Sequence, residues 1–128
     1  MAGEISAEVS RFIVDHLKSV AQLEVLLLVR ASPDRDWSAE DVGRSLYTAP
    51  EIAAQQLSDL SARGLLTASG SSPPLYRYGT RAPEMAALVD QLDEAYRERR
   101  VSVITLIYSK PVDKVRTFAD AFRLRTEE

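Results

Sequence analysis

The sequence lacks cysteine altogether and has a single histidine, His16, among its 128 residues. Without cysteine, disulfides, thiolate metal sites and cysteine nucleophiles are excluded. His16 follows Asp15 in a helical pattern, where a lone imidazole is more typical of a surface or packing residue than of a ligand or a base. The sequence also has no glycine-rich phosphate loop, nucleophile elbow or zinc-type spacing. We therefore predict a protein without enzyme activity, cofactor or metal site.

Long hydrophobic runs are missing as well. Apolar stretches such as Val25–Val29 and Val103–Ile107 are far shorter than the roughly 20 residues that a membrane span needs. The first ten residues contain acidic side chains and lack the basic and apolar regions of a secretory signal. Hydrophobic residues make up 45% and charged residues 27% of the chain, an ordinary globular balance. These features favour a cytoplasmic protein that does not interact with membranes.

Positive charge is scarce over most of the chain. The net charge is −3, which by itself argues against nucleic acid as a partner. Residues 1–96 hold 8 basic and 14 acidic side chains, whereas residues 97–128 hold 8 basic and 5 acidic ones. The basic side chains are therefore concentrated towards the C-terminus.

Apolar residues three and four positions apart predict helices over Ile5–Leu17 and Ser19–Arg30. The second of these is apolar on more than one side, which indicates a central buried helix. A short helix is predicted over Ser38–Tyr47. Ser38 is a suitable N-cap for it, and Asp41 takes the place of the usual glutamate in a capping box.

The next predicted helix begins near Thr48, which we expect to cap it, with Glu51 completing a second capping box. Pro50 is tolerated in a first helical turn. Gly64 is expected to end the helix in a left-handed conformation. The side chains expected to point inward are Ile52, Leu57 and Leu60.

After Gly64 the pattern changes to that of a β-hairpin. Leu65–Ala68 and Leu75–Tyr78 are typical of short strands, and Ser69–Pro74 has the composition of a loop. Alternation along the second strand places both of its tyrosines on the core face and leaves Arg77 exposed.

Pro83 is expected to start a long helix that reaches at least Tyr96. The segment Val101–Tyr108 could continue as a helix or form a strand, because it is rich in β-branched residues. Lys110 precedes a proline, which marks a break. A final amphipathic helix is predicted over Pro111–Arg125.

The stretch from Trp37 to Thr80 resembles the winged helix-turn-helix of bacterial transcription regulators. The resemblance depends on a short helix ending in Leu46-Tyr47, a second helix after a tight turn, the leucine and Arg-Gly-Leu-Leu pattern over Leu57–Leu66, and the aromatic returning strand. It implies a mostly α fold with a small β-hairpin wing and with N- and C-terminal helical extensions. We expect residues 1–82 to form the winged domain and residues 83–128 the C-terminal extension.

In that family the second helix of the pair enters the major groove and the wing lies along the DNA backbone. Gln55 is then suited to an adenine edge, and Thr48 or Ser58 to a phosphate. The positions that the resemblance makes candidate DNA contacts are Arg44, Thr48, Pro50, Ala54, Gln55, Ser58, Arg77 and Arg81.

Two features depart from the expected pattern. The predicted recognition helix has no Lys or Arg before Arg63 and begins with Glu51, and the loop Ser69–Pro74 carries no charge. Affinity for DNA then has to come from dimerisation, from the wing arginines or from the basic C-terminal segment. The resemblance implies a transcriptional regulator that binds duplex DNA as a dimer. The alternative is a winged-helix adaptor that binds another protein and not DNA.

The C-terminal region is expected to form a homodimer interface. Val101–Tyr108 is apolar on too many sides for a free surface helix, so another surface must cover it. The cover could come from the same chain, but the resemblance favours homodimerisation through residues 83–125. Binding of the basic segment Pro111–Arg125 to a membrane surface is a weaker rival. For Trp37 we expect a packing role on Val42 at the start of the following helix rather than ligand stacking.

Overall fold

A computed structural model describes residues 5–109 of the chain. Within this range, four helices are followed by one hairpin and then by two more helices, in the order predicted. The elements are α1 (Ala7–His16), α2 (Val20–Ala31), α3 (Ala39–Leu46), α4 (Pro50–Ala62), β1 (Leu66–Ala68), β2 (Tyr76–Tyr78), α5 (Pro83–Glu98) and α6 (Arg100–Ser109). The helix predicted over Pro111–Arg125 lies outside the described residues.

Helix α2 occupies the centre of the fold, as its apolar composition predicted. Its buried residues face more than one side and include Leu23, Val25, Leu26 and Val29. The hydroxyl of Ser19 accepts a hydrogen bond from the Gln22 N–H and caps its first turn. Helix α2 contacts α3, α4 and strand β2.

Helix α3 begins with the predicted capping box. The Asp41 N–H donates to the Ser38 hydroxyl over 3.0 Å, and the Ser38 N–H donates to the Asp41 carboxylate over 3.3 Å. Two free N–H groups of the first turn are thereby satisfied. The capping prediction for this helix is confirmed.

The cap predicted for α4 is wrong. Ala49, not Thr48, is the N-cap, and no side chain caps this helix. Pro50 at the first helical position fixes the start of the helix, since its ring presets a helical φ and it has no N–H to satisfy. Thr48 lies one residue too early to cap, and its own N–H donates to the Gly43 carbonyl.

The inward face of α4 is also shifted from the prediction. Leu57 and Leu60 are fully buried as expected, but the third inward residue is Ala53, and Ile52 is 48% exposed. Ala53 precedes Leu57 by four residues and so shares its face, whereas Ile52 is rotated by about 100° from Ala53. The prediction of an inward Ile52 is therefore wrong.

Gly64 ends α4 as predicted. Its φ of +83° lies in the left-handed region. The Gly64 N–H donates to the Ser61 carbonyl, and the Leu65 N–H donates to the Leu60 carbonyl, each over 3.0 Å. These two hydrogen bonds satisfy carbonyls of the last helical turn, and the chain continues directly into the wing.

The wing is the predicted antiparallel hairpin, with Thr67 opposite Arg77. Tyr76 is buried, Tyr78 is half-buried and Arg77 is exposed, which confirms the predicted alternation. One feature was not predicted. Trp37, itself buried, exchanges two backbone hydrogen bonds with Tyr76 and so adds a third short strand segment to the wing.

The C-terminal helices α5 and α6 are separated by Arg99, whose backbone leaves the helical region. Val101–Tyr108 is helical, so the strand alternative is wrong. Both helices contact α1. The buried residues of α5 and α6 belong to the same core as those of α1 and α2. They are Val89, Leu92, Val103 and Ile107. No helix in residues 5–109 is long and apolar enough to cross a membrane.

Candidate nucleic-acid interface

The outer face of α4 is a row of exposed side chains. Gln55 follows Glu51 by four residues and Ile52 by three, and Ser58 follows Gln55 by three, as residues on one side of a helix do. All four side chains face solvent. We call these four residues the α4 face. Gln55 and Ser58 were predicted at this surface.

The remaining predicted contacts of the helix pair are distributed around this face. Pro50 is exposed at the start of α4, and Thr48 and Ala54 are half-buried. Arg44 is exposed on α3. The structure thus leaves Pro50, Gln55, Ser58 and Arg44 the most accessible of the predicted contacts on α3 and α4.

Tyr47, in the turn between α3 and α4, was not among the predicted site residues. It is 96% exposed, and its backbone is left-handed, with a φ of 57°. That conformation is uncommon for a residue other than glycine. A phenol hydroxyl is a suitable hydrogen-bond donor to a phosphate oxygen. The available signal was a large aromatic side chain at the end of an amphipathic helix, which sequence reasoning could not distinguish from a core residue.

A polar network holds α4 against the N-terminal helices. Gln22 is only 1% exposed, and its amide donates to the carboxylate of Asp59 on α4. The side-chain oxygen Oε1 of Gln22 accepts a hydrogen bond from the backbone N–H of Lys18 over 2.7 Å. Arg63 donates to Asp59 over 2.9 Å and to the Asp15 carbonyl over 2.9 Å. Because a buried amide is costly unless it is paired, this network fixes the position of α4 along α2.

The same network lowers the pKa of Asp59. Partial burial raises the pKa of this carboxyl, but hydrogen bonds from Arg63 and Gln22 and the positive charges of Arg63 and Lys18 outweigh burial. The net result is a pKa below its ordinary value of 3.8. The folded structure therefore stabilises the ionised form of this carboxyl group relative to the unfolded chain.

This shift gives a pH-dependent prediction. A carboxyl with a lowered folded pKa contributes stability that is present above pH 3.8 and is lost as the pH falls through the folded value. We expect the difference in free energy of unfolding between the wild type and Asp59→Asn to shrink as pH falls from neutral to below that range. Urea unfolding at a series of pH values measures this difference. A difference that does not change with pH would contradict the assigned role of the carboxylate.

Carboxylates pair with two of the three arginines predicted to meet phosphates. The Arg44 guanidinium lies 3.1 Å from Asp41, and that of Arg77 lies 2.9 Å from Asp36. Arg81 donates instead to the Ala62 carbonyl over 3.3 Å, at the C-terminal end of α4. All three side chains are exposed, and exposed pairs of this kind are weak. The arginines remain available to an anion, although Asp36 and Asp41 reduce the local positive potential.

Residues 5–109 contain no group of three or more histidine, aspartate or glutamate side chains placed to hold a metal ion. Arg30 binds Asp90 over 2.6 Å and Asp93 over 3.0 Å, which joins α2 to α5. These acidic residues therefore have a structural explanation in helix packing.

Comparison with solved structures identifies the fold. A MarR family transcriptional regulator from Streptomyces coelicolor matches 94% of this chain and 81% of its own, with a TM-score of 0.53 and 18% identity. The adhesin competence repressor of Streptococcus pyogenes matches 89% of this chain and 84% of its own, with a TM-score of 0.52 and 12% identity.

A third structure is the homodimeric winged helix-turn-helix DNA-binding domain of a possible ArsR-family regulator from Mycobacterium bovis. It matches 77% of this chain and 93% of its own, with a TM-score of 0.52 and 19% identity. No protein-family model and no curated protein sequence matches the chain. At these identities the likeness establishes the fold, and the chain has the winged helix-turn-helix fold of these regulators.

Proposed function

We propose that this protein is a transcriptional regulator that binds duplex DNA as a homodimer, with α4 in the major groove and the wing on the DNA backbone. The observation that carries the proposal is the α4 face, a row of solvent-exposed side chains without a partner in residues 5–109, beside a wing with an exposed arginine. The contact between the buried Gln22 amide and Asp59 holds this helix in one orientation. A rigid helix with an accessible outer face is what reading of base edges requires.

Phosphate binding is assigned to Arg44, Arg77 and Arg81, with the Tyr47 hydroxyl as a further donor. This is a small set of cations for DNA binding, so a second protomer is important to affinity. Two recognition helices of a two-fold dimer meet successive major-groove faces about 34 Å apart. The proposed target is therefore a pseudo-palindromic site.

The dimer interface is assigned to residues 83–125, with residues 1–82 as the winged DNA-binding unit. On α6, Val101 is 76% and Tyr108 is 64% exposed, although its opposite side is buried in the core. Because α6 has apolar side chains on its exposed side as well as on its buried side, we expect a second protein surface to cover the exposed side. The proposed role needs no catalytic group or cofactor, and it implies a location with the DNA in the cytoplasm.

The first experiment is a titration of the full chain with random duplex DNA and genomic fragments at low and moderate salt, with the oligomeric state measured by light scattering. If both protomers use all three arginines, affinity should fall about a thousand-fold between 50 and 200 mM salt. A preference for particular fragments is expected in addition. A protein that binds no DNA even at low salt would contradict the proposal and support the protein-binding adaptor, whose apolar interface should respond little to salt.

The Asp36–Arg77 pair gives a prediction with opposite signs for its two members. Asp36→Asn frees the Arg77 guanidinium and removes a negative charge near the DNA backbone, so affinity should rise about two- to five-fold at low salt. Arg77→Ala should weaken binding to all sequences and reduce the salt dependence by about one ion per protomer.

Fluorescence anisotropy with one labelled duplex at several salt concentrations measures both effects. Asp34→Asn, in the same loop and exposed, is the matched control for a change of net charge alone. Equal gains from Asp34→Asn and Asp36→Asn would mean that the ion pair with Arg77 has no specific effect.

A further inference from the structure

We infer that the α4 face selects consecutive A·T base pairs, with Ile52 contacting a thymine methyl and Gln55 bonding to an adenine edge. This inference rests on the proposed DNA-binding function and names the sequence class that the site takes. It concerns Ile52 in particular, a residue whose pattern in the sequence indicated a core position and which the structure places at the surface.

The chemistry of the face argues against reading guanine. Guanine is recognised in the major groove by Arg or Lys donors to O6 and N7. The sequence has no Lys or Arg between Arg44 and Arg63. Arg63 is half-buried and directed to Asp59 and the Asp15 carbonyl. No cation of α4 is therefore free to bind a guanine edge.

The two side chains at the middle of the face suit an A·T pair. A primary amide such as that of Gln55 matches the N6 donor and N7 acceptor of adenine, and thymine is the one base with a methyl group in the major groove. Ile52 is aliphatic and 48% exposed. It offers apolar contact to that methyl group and no hydrogen bond to any other base edge.

The spacing of these residues favours neighbouring base pairs. Ile52 and Gln55 are three residues apart on the same side of α4, which separates them by about 4.5 Å along the helix axis. Base pairs in duplex DNA are stacked at about 3.4 Å. Glu51, one residue before Ile52, repels phosphate and can only accept hydrogen bonds. In the major groove of a G·C pair, the one donor that it could bind is therefore cytosine N4.

The test begins with selection of bound duplexes from a random library by the full-length wild type. Within the selected half-site, each thymine is then replaced by deoxyuridine, which lacks only the methyl group, and each adenine by 7-deaza-adenine, which lacks only the N7 acceptor. At one thymine, loss of the methyl group should weaken wild-type binding about four-fold. At one adenine, loss of N7 should weaken it roughly three- to ten-fold.

The variants assign these losses to residues. In Ile52→Ala the deoxyuridine effect should disappear while the 7-deaza effect remains, and in Gln55→Ala the reverse should hold. Ser58→Ala, on the same face, is the matched control: its overall affinity for DNA should fall, because Ser58 is a candidate phosphate contact, but both base-analogue effects should remain. Thermal melts of the three variants confirm that each is folded.

The possible outcomes distinguish failure of the A·T inference from failure of the proposed DNA-binding function. Sequence-selective binding with only G·C pairs opposite α4, or base-analogue effects unchanged in Ile52→Ala and Gln55→Ala, would overturn the inference and leave DNA binding intact. Failure of the wild type to bind any duplex even at low salt would overturn both and would support the protein-binding adaptor.

Discussion

Replacing Leu60 by alanine should lower the free energy of unfolding by about 2–5 kcal/mol. Leu60 is fully buried in the core between α4 and the central helix α2. Its truncation removes apolar contacts and leaves a cavity that the surrounding rigid helices can fill only in part. Urea unfolding followed by circular dichroism measures the change.

The matched control is Ile52→Ala on the same helix. Ile52 is a similar aliphatic residue but 48% exposed, and alanine has the higher helix propensity. The change in unfolding free energy should therefore stay within about 0.5 kcal/mol. Similar losses for the two variants would reject the register of α4 and, with it, the exposed position of Ile52 on which the A·T inference depends.

Replacing Gly43 by alanine is the second substitution with a large expected effect. A Cβ atom at this position would lie 2.7 Å from the Thr48 carbonyl oxygen, which is backbone and cannot rotate away. The turn between α3 and α4 would have to shift. We expect a loss of about 1–3 kcal/mol in unfolding free energy, the typical cost of overpacking in a close-packed interior. DNA binding should weaken as well, because the orientation of α4 would change.

The sign of this result is informative, because glycine to alanine within an exposed helix usually stabilises by about 1 kcal/mol. Gly70→Ala is the control, since a Cβ atom there meets nothing within 4 Å. Its stability should be unchanged or slightly raised. A stabilised Gly43→Ala variant would show that α3 and α4 do not approach as closely as described.

Local sequence signals predicted most of the elements. The capping pair Ser38 and Asp41 fixed the start of α3, and Gly64 fixed the end of α4, because each satisfies backbone groups within a few residues of itself. The tyrosines of the wing were placed correctly by simple alternation. These are interactions over a short span of chain, which a sequence pattern carries in full.

The errors occur where two local rules compete or where distant residues decide. Thr48 and Pro50 each indicate a different start for α4. The helix begins at Pro50, because the proline ring fixes the backbone in a helical conformation. Ile52 and Ala53 both fit a helical period, and hydrophobicity favoured the wrong one. Ala53, which is fully buried, suits a close approach of helices that a larger side chain would prevent.

The sequence by itself determined the helix order, the hairpin and the absence of cysteine chemistry, because periodicity, caps and composition are properties of neighbouring residues. Tertiary structure decided the functional surface. It turned Ile52 outward, joined Trp37 to the wing strand at Tyr76, and paired Arg77 with Asp36. Contacts between residues some 40 positions apart depend on how the helices pack around α2, and no local pattern encodes that packing.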